Sequence, residues 1–519
     1  MSQPMPLPGG ATATVALAPA PGASPPATVP AGAAPPPSPF TPLWRASEAL
    51  AAGQTTAVEL VEQCRAAWEA SNGTLNALIL TDWQAALRDA RDSDLRRQQG
   101  NPRGPLDGMP FSIKESFDVA GWPTTCGSLA HAGHVAQADA TVVQRLRDAG
   151  AVLLGKSNVP LGLRDWQTYN AVYGTTRNPR DPSRTPGGSS GGSAAAVCAG
   201  MTFFDIGSDI GSSLRNPAHY CGVFSHKSSH GLVPLTGHGS GAALFGTQDI
   251  NVAGPVARSA RDLRMVLDAI AGPEETEAVA FRMALPACPH QRLDAFRVAV
   301  LPSHPIAEAD ATVANEITRL GRWLEQQGAR VEWDARPDFD AGELWRVYVL
   351  LLRATTSVYM NDDAFAAALD EASRTTPGDD RYAALQYLGA TLRHRDWLLL
   401  QQARERFAQA WRQFFTQHDV LLCPAAATPA FALNEQQEPW QRELLVNGRP
   451  QAMTTQLFWA GHSGLCGLPS TVAPIGASPN GLPIGVQIVA GRYRDLTSLR
   501  FASLLEDAGF AFRPPAPLG

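Results

Sequence analysis

The 519-residue sequence has no uninterrupted apolar run of the length that a membrane span requires, about 18 residues, so no membrane-embedded role is expected. It also lacks a basic field, because 42 Lys and Arg stand against 48 Asp and Glu, for a net charge of -6. Nothing in that balance would gather nucleic acid or anionic lipid. Cysteine is sparse: the seven residues Cys64, Cys126, Cys198, Cys221, Cys288, Cys423 and Cys466 are scattered, odd in number and never form a Cys-x-x-Cys pair. That usage gives no zinc framework and fits reduced thiols in a cytoplasmic protein. No charged residue precedes Arg45, and prolines interrupt the alanine-rich stretch APAPGASPPATVPAGAAPPPSP. A secretory leader needs a basic start and an unbroken apolar run, so residues 1–40 are expected to form a disordered or polyproline-like tail.

Beyond the tail the chain is patterned. Thr56 and Glu59 have the Thr-x-x-Glu spacing of a capping box, with Val58 and Val61 opening an apolar face. Short β-like runs occur at PFSIK (110–114), AVLLG (151–155), FRVAVL (296–301) and DVLLCP (419–424). Between them, ATVANEITRLGRWLEQQG places Val313, Ile317, Leu320 and Leu324 on one stripe and ends at Gly328, a helix with its stop. The alternation predicts an α/β architecture around a buried, mostly parallel or mixed sheet. No linker interrupts the chain after residue 45, which favours one large domain over 41–519, with a more helical excursion over about 280–400.

Three short patterns are matched in form only. GAVLLGKS (150–157) fits a phosphate loop, yet its Ala-Val-Leu-Leu reads as a buried strand with Lys156 at its end. GGSSG (187–191) fits a nucleophile elbow, but that elbow needs a preceding strand, and NPRDPSRTP carries three prolines. The pairs His226/His230 and His131/His134 lack the HExxH glutamate and lie in Gly/Ser-containing stretches, so ordinary polar loop or pocket histidines are expected there instead of metal ligands. A second serine-rich loop, DIGSDIGSSLRNPAHYCG (205–222), is joined to the first by AAAVCAGMTFF. If the two meet at one end of the sheet, backbone N–H groups around Gly211 could form an oxyanion hole for Ser213, with lysine replacing histidine as base.

Taken in order, PLDGMPFSIKESFDVAG, GAVLLGKSNVP, RNPRDPSRTPGGSSGGSAAAV, GSDIGSSLRNPAHYCG and LPSTVAPIGASPNGLPIGVQIVAG resemble the amidase signature family over most of residues 45–515. The resemblance implies one large domain with a central mixed sheet covered by helices on both faces. It implies Ser213 as acylated nucleophile, Ser189 as bridging serine after a cis bond from Gly188, and Lys114 as general base. Ile210, Gly211, Ser212 and Ser213 would supply the oxyanion-hole N–H groups. Gly187, Gly188, Trp166, Tyr169 and Tyr173 are candidate substrate contacts. A free lysine is neutral in only about one molecule in 2,500 at pH 7, so Lys114 would have to be buried and its pKa depressed by about 3 units. The implied function is an amidohydrolase acting on a small, hydrophobic or aryl carboxamide. An ester- or carbamate-cleaving hydrolase, or an amidotransferase subunit passing ammonia to a partner chain, would use the same parts. No metal or organic cofactor is implied. The expected partner is a small-molecule amide, without nucleic acid or membrane and with room for a homodimer. Two departures stand out: Ser212 occupies a position where the family commonly has glycine, and the usual Gly-x-Lys-Pro stretch reads SHKSS (225–229).

Overall fold

A computed structural model of the protein describes residues 36–239 and 248–517. Residues 1–35 of the expected tail therefore lie outside the described residues. From Pro37 onward the described chain is one compact unit.

Its centre is an eleven-stranded mixed sheet. In chain order the strands are β1 (Leu78–Thr81), β2 (Pro110–Lys114), β3 (Val152–Ser157), β4 (Phe204–Asp209), β5 (Phe224–Lys227), β6 (Val252–Ala257), β7 (Arg297–Val300), β8 (Arg330–Trp333), β9 (Val420–Pro424), β10 (Ser470–Ala477) and β11 (Pro483–Val489). Their spatial order is β1-β3-β2-β4-β6-β5-β10-β11-β9-β7-β8. β3, β2 and β4 run parallel, as do β9, β7 and β8, while the strands between those groups pair antiparallel. Within GAVLLGKS, Val152–Ser157 is β3, buried along its length, so these residues run extended instead of turning about a phosphate.

The period-2 alternation of the strands divides the core in two. Val298, Val300, Val420 and Leu422 join one apolar cluster with helices Ala57–Leu75, Ala260–Ile270, Ala311–Gln326 and Asp495–Asp507. Their neighbours Ala299, Leu301, Leu421 and Cys423 face the other side, packing with helices Ala341–Ser357, His394–Gln417 and Leu457–Gly464. Helices thus cover both faces. Sequence signals set the helix ends: Thr56 and Glu59 exchange both capping-box hydrogen bonds, and the Val313, Ile317, Leu320 and Leu324 stripe is fully buried. Gly328, at φ 89°, takes the left-handed turn after that helix.

The 280–400 segment divides. β7 and β8 within it belong to the central sheet, whereas helices Ala341–Ser357, Asp362–Arg374 and Tyr382–Ala390 leave the sheet. Short apolar runs make the strands, and the long amphipathic runs after them make the helices.

Candidate active site

β2 and β4 are parallel neighbours, so their C-terminal ends open at the same edge of the sheet. Lys114 is the last residue of β2, and Ser208 and Asp209 are the last two of β4. The helix Gly191–Cys198, wholly buried, begins just after Ser189 and Ser190. The serine-rich stretch is therefore the entry to a core helix. Two contacts hold its loop against the second one: Ser190 N–H donates to the Ser213 carbonyl at 3.1 Å, and the Asn216 side chain clamps Gly188. Asn216 Nδ2 donates to the Gly188 carbonyl at 2.6 Å, and Gly188 N–H donates to Asn216 Oδ1 at 3.1 Å. The peptide bond between Gly188 and Ser189 is cis.

Lys114 is fully buried. Its Nζ donates to Ser189 Oγ at 2.7 Å and to Ser208 Oγ at 2.9 Å. Burial pulls the ammonium pKa from 10.5 to about 7, against the opposing pull of Cys126, Asp209 and Asp205. Ser208 is in turn 2.8 Å from His238 Nε2. His238 is held neutral, its pKa pushed down to about 3 by burial and by Lys114. The ring also packs edge-on against Phe117. A polar chain His238–Ser208–Lys114–Ser189 thus runs through the interior.

The Ser213 hydroxyl makes no hydrogen bond among the described residues, and the residue is 5% exposed. The loop before it is fixed from behind. Tyr348 Oη donates to the Ile210 carbonyl at 2.8 Å and Trp166 Nε1 to the Gly211 carbonyl at 2.9 Å. Because carbonyl and following N–H point oppositely across a trans peptide, anchoring the Ile210 carbonyl aims the Gly211 N–H the other way. Asp209 sets the base of the loop with a bidentate, fully buried pair to Arg215, at 2.7 and 2.9 Å. Burial alone would raise the Asp209 pKa, and the Arg215 guanidinium overcomes that and holds it low. Asp209 Oδ1 also accepts the Ser212 N–H at 2.9 Å. Of the four N–H groups expected in the oxyanion hole, that of Ser212 is therefore already engaged, while those of Gly211 and Ser213 make no hydrogen bond among the described residues.

A cavity of about 1150 Å³ is walled by Trp166, Tyr169, Leu457 and Cys126 among others; Trp166 and Leu457 also lie against Gly211, whereas Lys114, Ser189 and Ser213 do not line it. Gly187, Gly188 and Tyr173 do not line it. A Cβ on Gly187 would meet Asn216 Oδ1 at 2.5 Å and one on Gly188 would meet the Asp165 carbonyl, so both glycines permit close packing. Tyr173 turns its hydroxyl to Glu115 Oε1 at 3.4 Å. The histidine pairs also divide: His226 is held by Thr471 and Asp495, and His230 by the Gln248 carbonyl. No cluster of three or more His, Cys, Asp or Glu suited to a metal occurs among the described residues, and none of their helices is long and apolar enough to cross a membrane. Ser208, His238, Asn216 and the Asp209–Arg215 pair escaped the sequence reading. The signal for the pair was present in Asp and Arg at either end of a Gly/Ser loop.

A family model described as Amidase matches residues 59–499. An indoleacetamide hydrolase of Bradyrhizobium diazoefficiens is 30% identical over 480 residues, covering 90% of this chain and 87% of the relative. The A subunit of the glutamyl-tRNA(Gln) amidotransferase from Chloroflexus aurantiacus is 32% identical over 473 residues, covering 88% of this chain and 94% of the relative. The solved structure of a 6-aminohexanoate cyclic dimer hydrolase complexed with substrate superposes with a TM-score of 0.72 at 26% identity, covering 92% of this chain and 99% of that one.

Proposed function

The chain belongs to the amidase signature family, whose members hydrolyse amide C–N bonds, and from that premise we propose that it cleaves a small or hydrophobic carboxamide through a seryl acyl-enzyme. The contact that carries the reading is Lys114 Nζ on Ser189 Oγ at 2.7 Å, inside a site where burial brings the lysine to a pKa of about 7. At that value about half of the molecules hold a neutral amine at pH 7.

In the proposed cycle the neutral Lys114 amine takes the Ser189 hydroxyl proton as Ser189 takes that of Ser213. The Ser213 hydroxyl, which makes no hydrogen bond among the described residues, then attacks the amide carbonyl. The N–H groups of Gly211 and Ser213 receive the developing oxyanion, with Ile210 beside them. The proton returns through Ser189 to the leaving amine, and water cleaves the acyl-enzyme by the same relay. Esters and carbamates would meet the same groups. The cavity wall of Trp166 and Tyr169 supports a hydrophobic or aryl acyl group.

The similarity to amidotransferase A subunits supports a second reading, in which the chain passes ammonia to a partner. The two separate on one measurement: the purified single chain should hydrolyse simple amides under the first reading and should need a partner under the second. A panel of amides, esters and carbamates is therefore to be run with wild type, Ser213→Ala and Lys114→Ala. Loss of turnover in both variants is the expected result. Hydrolysis that survives Ser213→Ala removes the nucleophile assignment, and near-normal rates in Lys114→Ala remove the base.

A further inference from the structure

Arg353 stands in the wall of the cavity without a counter-ion among the described residues. Its Nε is buried without an acceptor, and its guanidinium rests over the Tyr382 ring at 5.2 Å. Arg164 lines the same cavity and spends one donor on the Thr356 carbonyl at 3.3 Å. Neither arginine meets a carboxylate among the described residues, and the segments outside that description, 1–35, 240–247 and 518–519, contain no Asp or Glu. The carboxylates of the cavity are directed elsewhere. Asp165 is held by Arg442 at 2.7 and 2.8 Å. Glu435 accepts from Thr175 Oγ1 at 2.7 Å, and both it and Glu438 are exposed. Burial and the like charge of Arg164 push Arg353 down to about 10, the direction expected of a cation held ready without its anion.

Buried polar groups are normally satisfied, and an arginine fork facing a cavity matches a planar carboxylate. Arg353 also stands on the helix that anchors the oxyanion loop. Tyr348, which holds the Ile210 carbonyl, lies five residues before it, about 7.5 Å along the helix axis. We propose that Arg353, with Arg164, binds a carboxylate carried by the substrate at the end remote from the scissile bond, so that the substrate class is an anionic amide. The inference rests on the amidase reading for the position of the scissile bond, and on the two arginines for the charge.

The test uses full-length Ser213→Ala, which binds without turning over. The probes are the monoamides of succinic, adipic and suberic acid, each beside its diamide, together with N-acetylglycine and N-acetyl-β-alanine, each beside its amide. Binding is read by thermal stabilisation over a concentration series. The expected result is that at least one acid binds about 10- to 100-fold more tightly than its neutral partner, and that adding Arg353→Met or Arg164→Met removes most of that ratio. Arg164 is exposed, so its variant reads the charge even if Arg353→Met folds poorly. Equal binding of acids and neutral partners, or a preference that survives in both variants, overturns the inference. Wild-type hydrolysis of the same pairs keeps the two claims apart. Turnover without charge preference defeats only the carboxylate site, and a preference in binding without turnover defeats only the amidase reading.

Discussion

Replacing Lys114 with methionine should abolish turnover and stabilise the fold together. The lysine is wholly buried with a pKa drawn from 10.5 to about 7, so across that window the unfolded chain binds more protons than the folded one. Stability therefore rises with pH through the window. Below about 7 both states carry the proton and the full cost of a buried ammonium is present; above 10.5 both are neutral and none remains. Linkage over that interval gives a cost of about 4 kcal/mol at pH 7 and about 2 kcal/mol near pH 9. Methionine carries none of it, but loses the hydrogen bonds to Ser189 and Ser208, worth about 1–2 kcal/mol together. Lys114→Met is expected to exceed wild type by about 2–3 kcal/mol at pH 7 and to come within about 1 kcal/mol near pH 9. Urea unfolding followed by tryptophan fluorescence at the two pH values measures the gap. A gap that does not shrink with rising pH, or a wild type that is the more stable at pH 7, refutes a depressed buried lysine. In wild type, kcat/KM should rise with pH through one ionisation near 7, the same proton seen kinetically.

Ser212 has φ 76°, a conformation that suits glycine, and its hydroxyl makes only a 3.4 Å contact to the Ala425 carbonyl. Ser212→Gly should stabilise the chain by about 1 kcal/mol without loss of turnover, and a lower unfolding midpoint would count against that account. His238→Phe keeps the ring against Phe117 and removes the nitrogen facing Ser208. It should lower kcat about tenfold with little change in KM, and His238→Gln should recover part of the loss; an unchanged kcat would show that the chain behind Lys114 does not position it. Asp209→Asn leaves the Arg215 guanidinium buried without its charge partner. A loss of about 3–5 kcal/mol is expected, read as unfolding or as insoluble expression, and wild-type stability would contradict it.

Much of the architecture was legible because the physics is local. β2, β3, β7 and β9 are short apolar runs, and the Thr56 capping box and the Val313 stripe are spacing rules that hold wherever the helix ends up. Pairing was not legible, since nothing in FRVAVL or RVEW states that they form one edge of an eleven-stranded sheet. The relay residues are 75 and 24 positions apart; the serine loop with its neighbouring N–H groups pointed to Ser213, and only the family resemblance assigned roles to Lys114 and Ser189 from sequence. Packing around the loops was not legible either: the space that a side chain at Gly187 or Gly188 would need is filled by Asn216 and Asp165. The resemblance implied the Ser212 N–H for the oxyanion hole, and that N–H donates to Asp209, three residues before it, in a short side-chain turn of the kind aspartate commonly makes.

Burial by itself does not single out a base. Lys114, Lys156 and Lys227 are all fully buried, and burial lowers their pKa to about 7, 8 and 7. They differ in what the amine touches. Lys227 donates to the Leu468 carbonyl at 2.7 Å. Lys156 donates to the Pro123 carbonyl and to Thr124 Oγ1 at 2.5 and 3.0 Å, with Glu115 opposing its loss of charge. A carbonyl can only accept, so an amine tied to one keeps an N–H pointed at it. Lys114 alone of the three has hydroxyls as both partners, and a hydroxyl can accept from an ammonium or donate to an amine without moving a heavy atom. A proton can therefore cross between Lys114 and Ser189 in either direction at a fixed 2.7 Å, as the proposed acylation and its reversal would both require. The other two lysines are also depressed by burial and brace the loops around Pro123 and Leu468 instead.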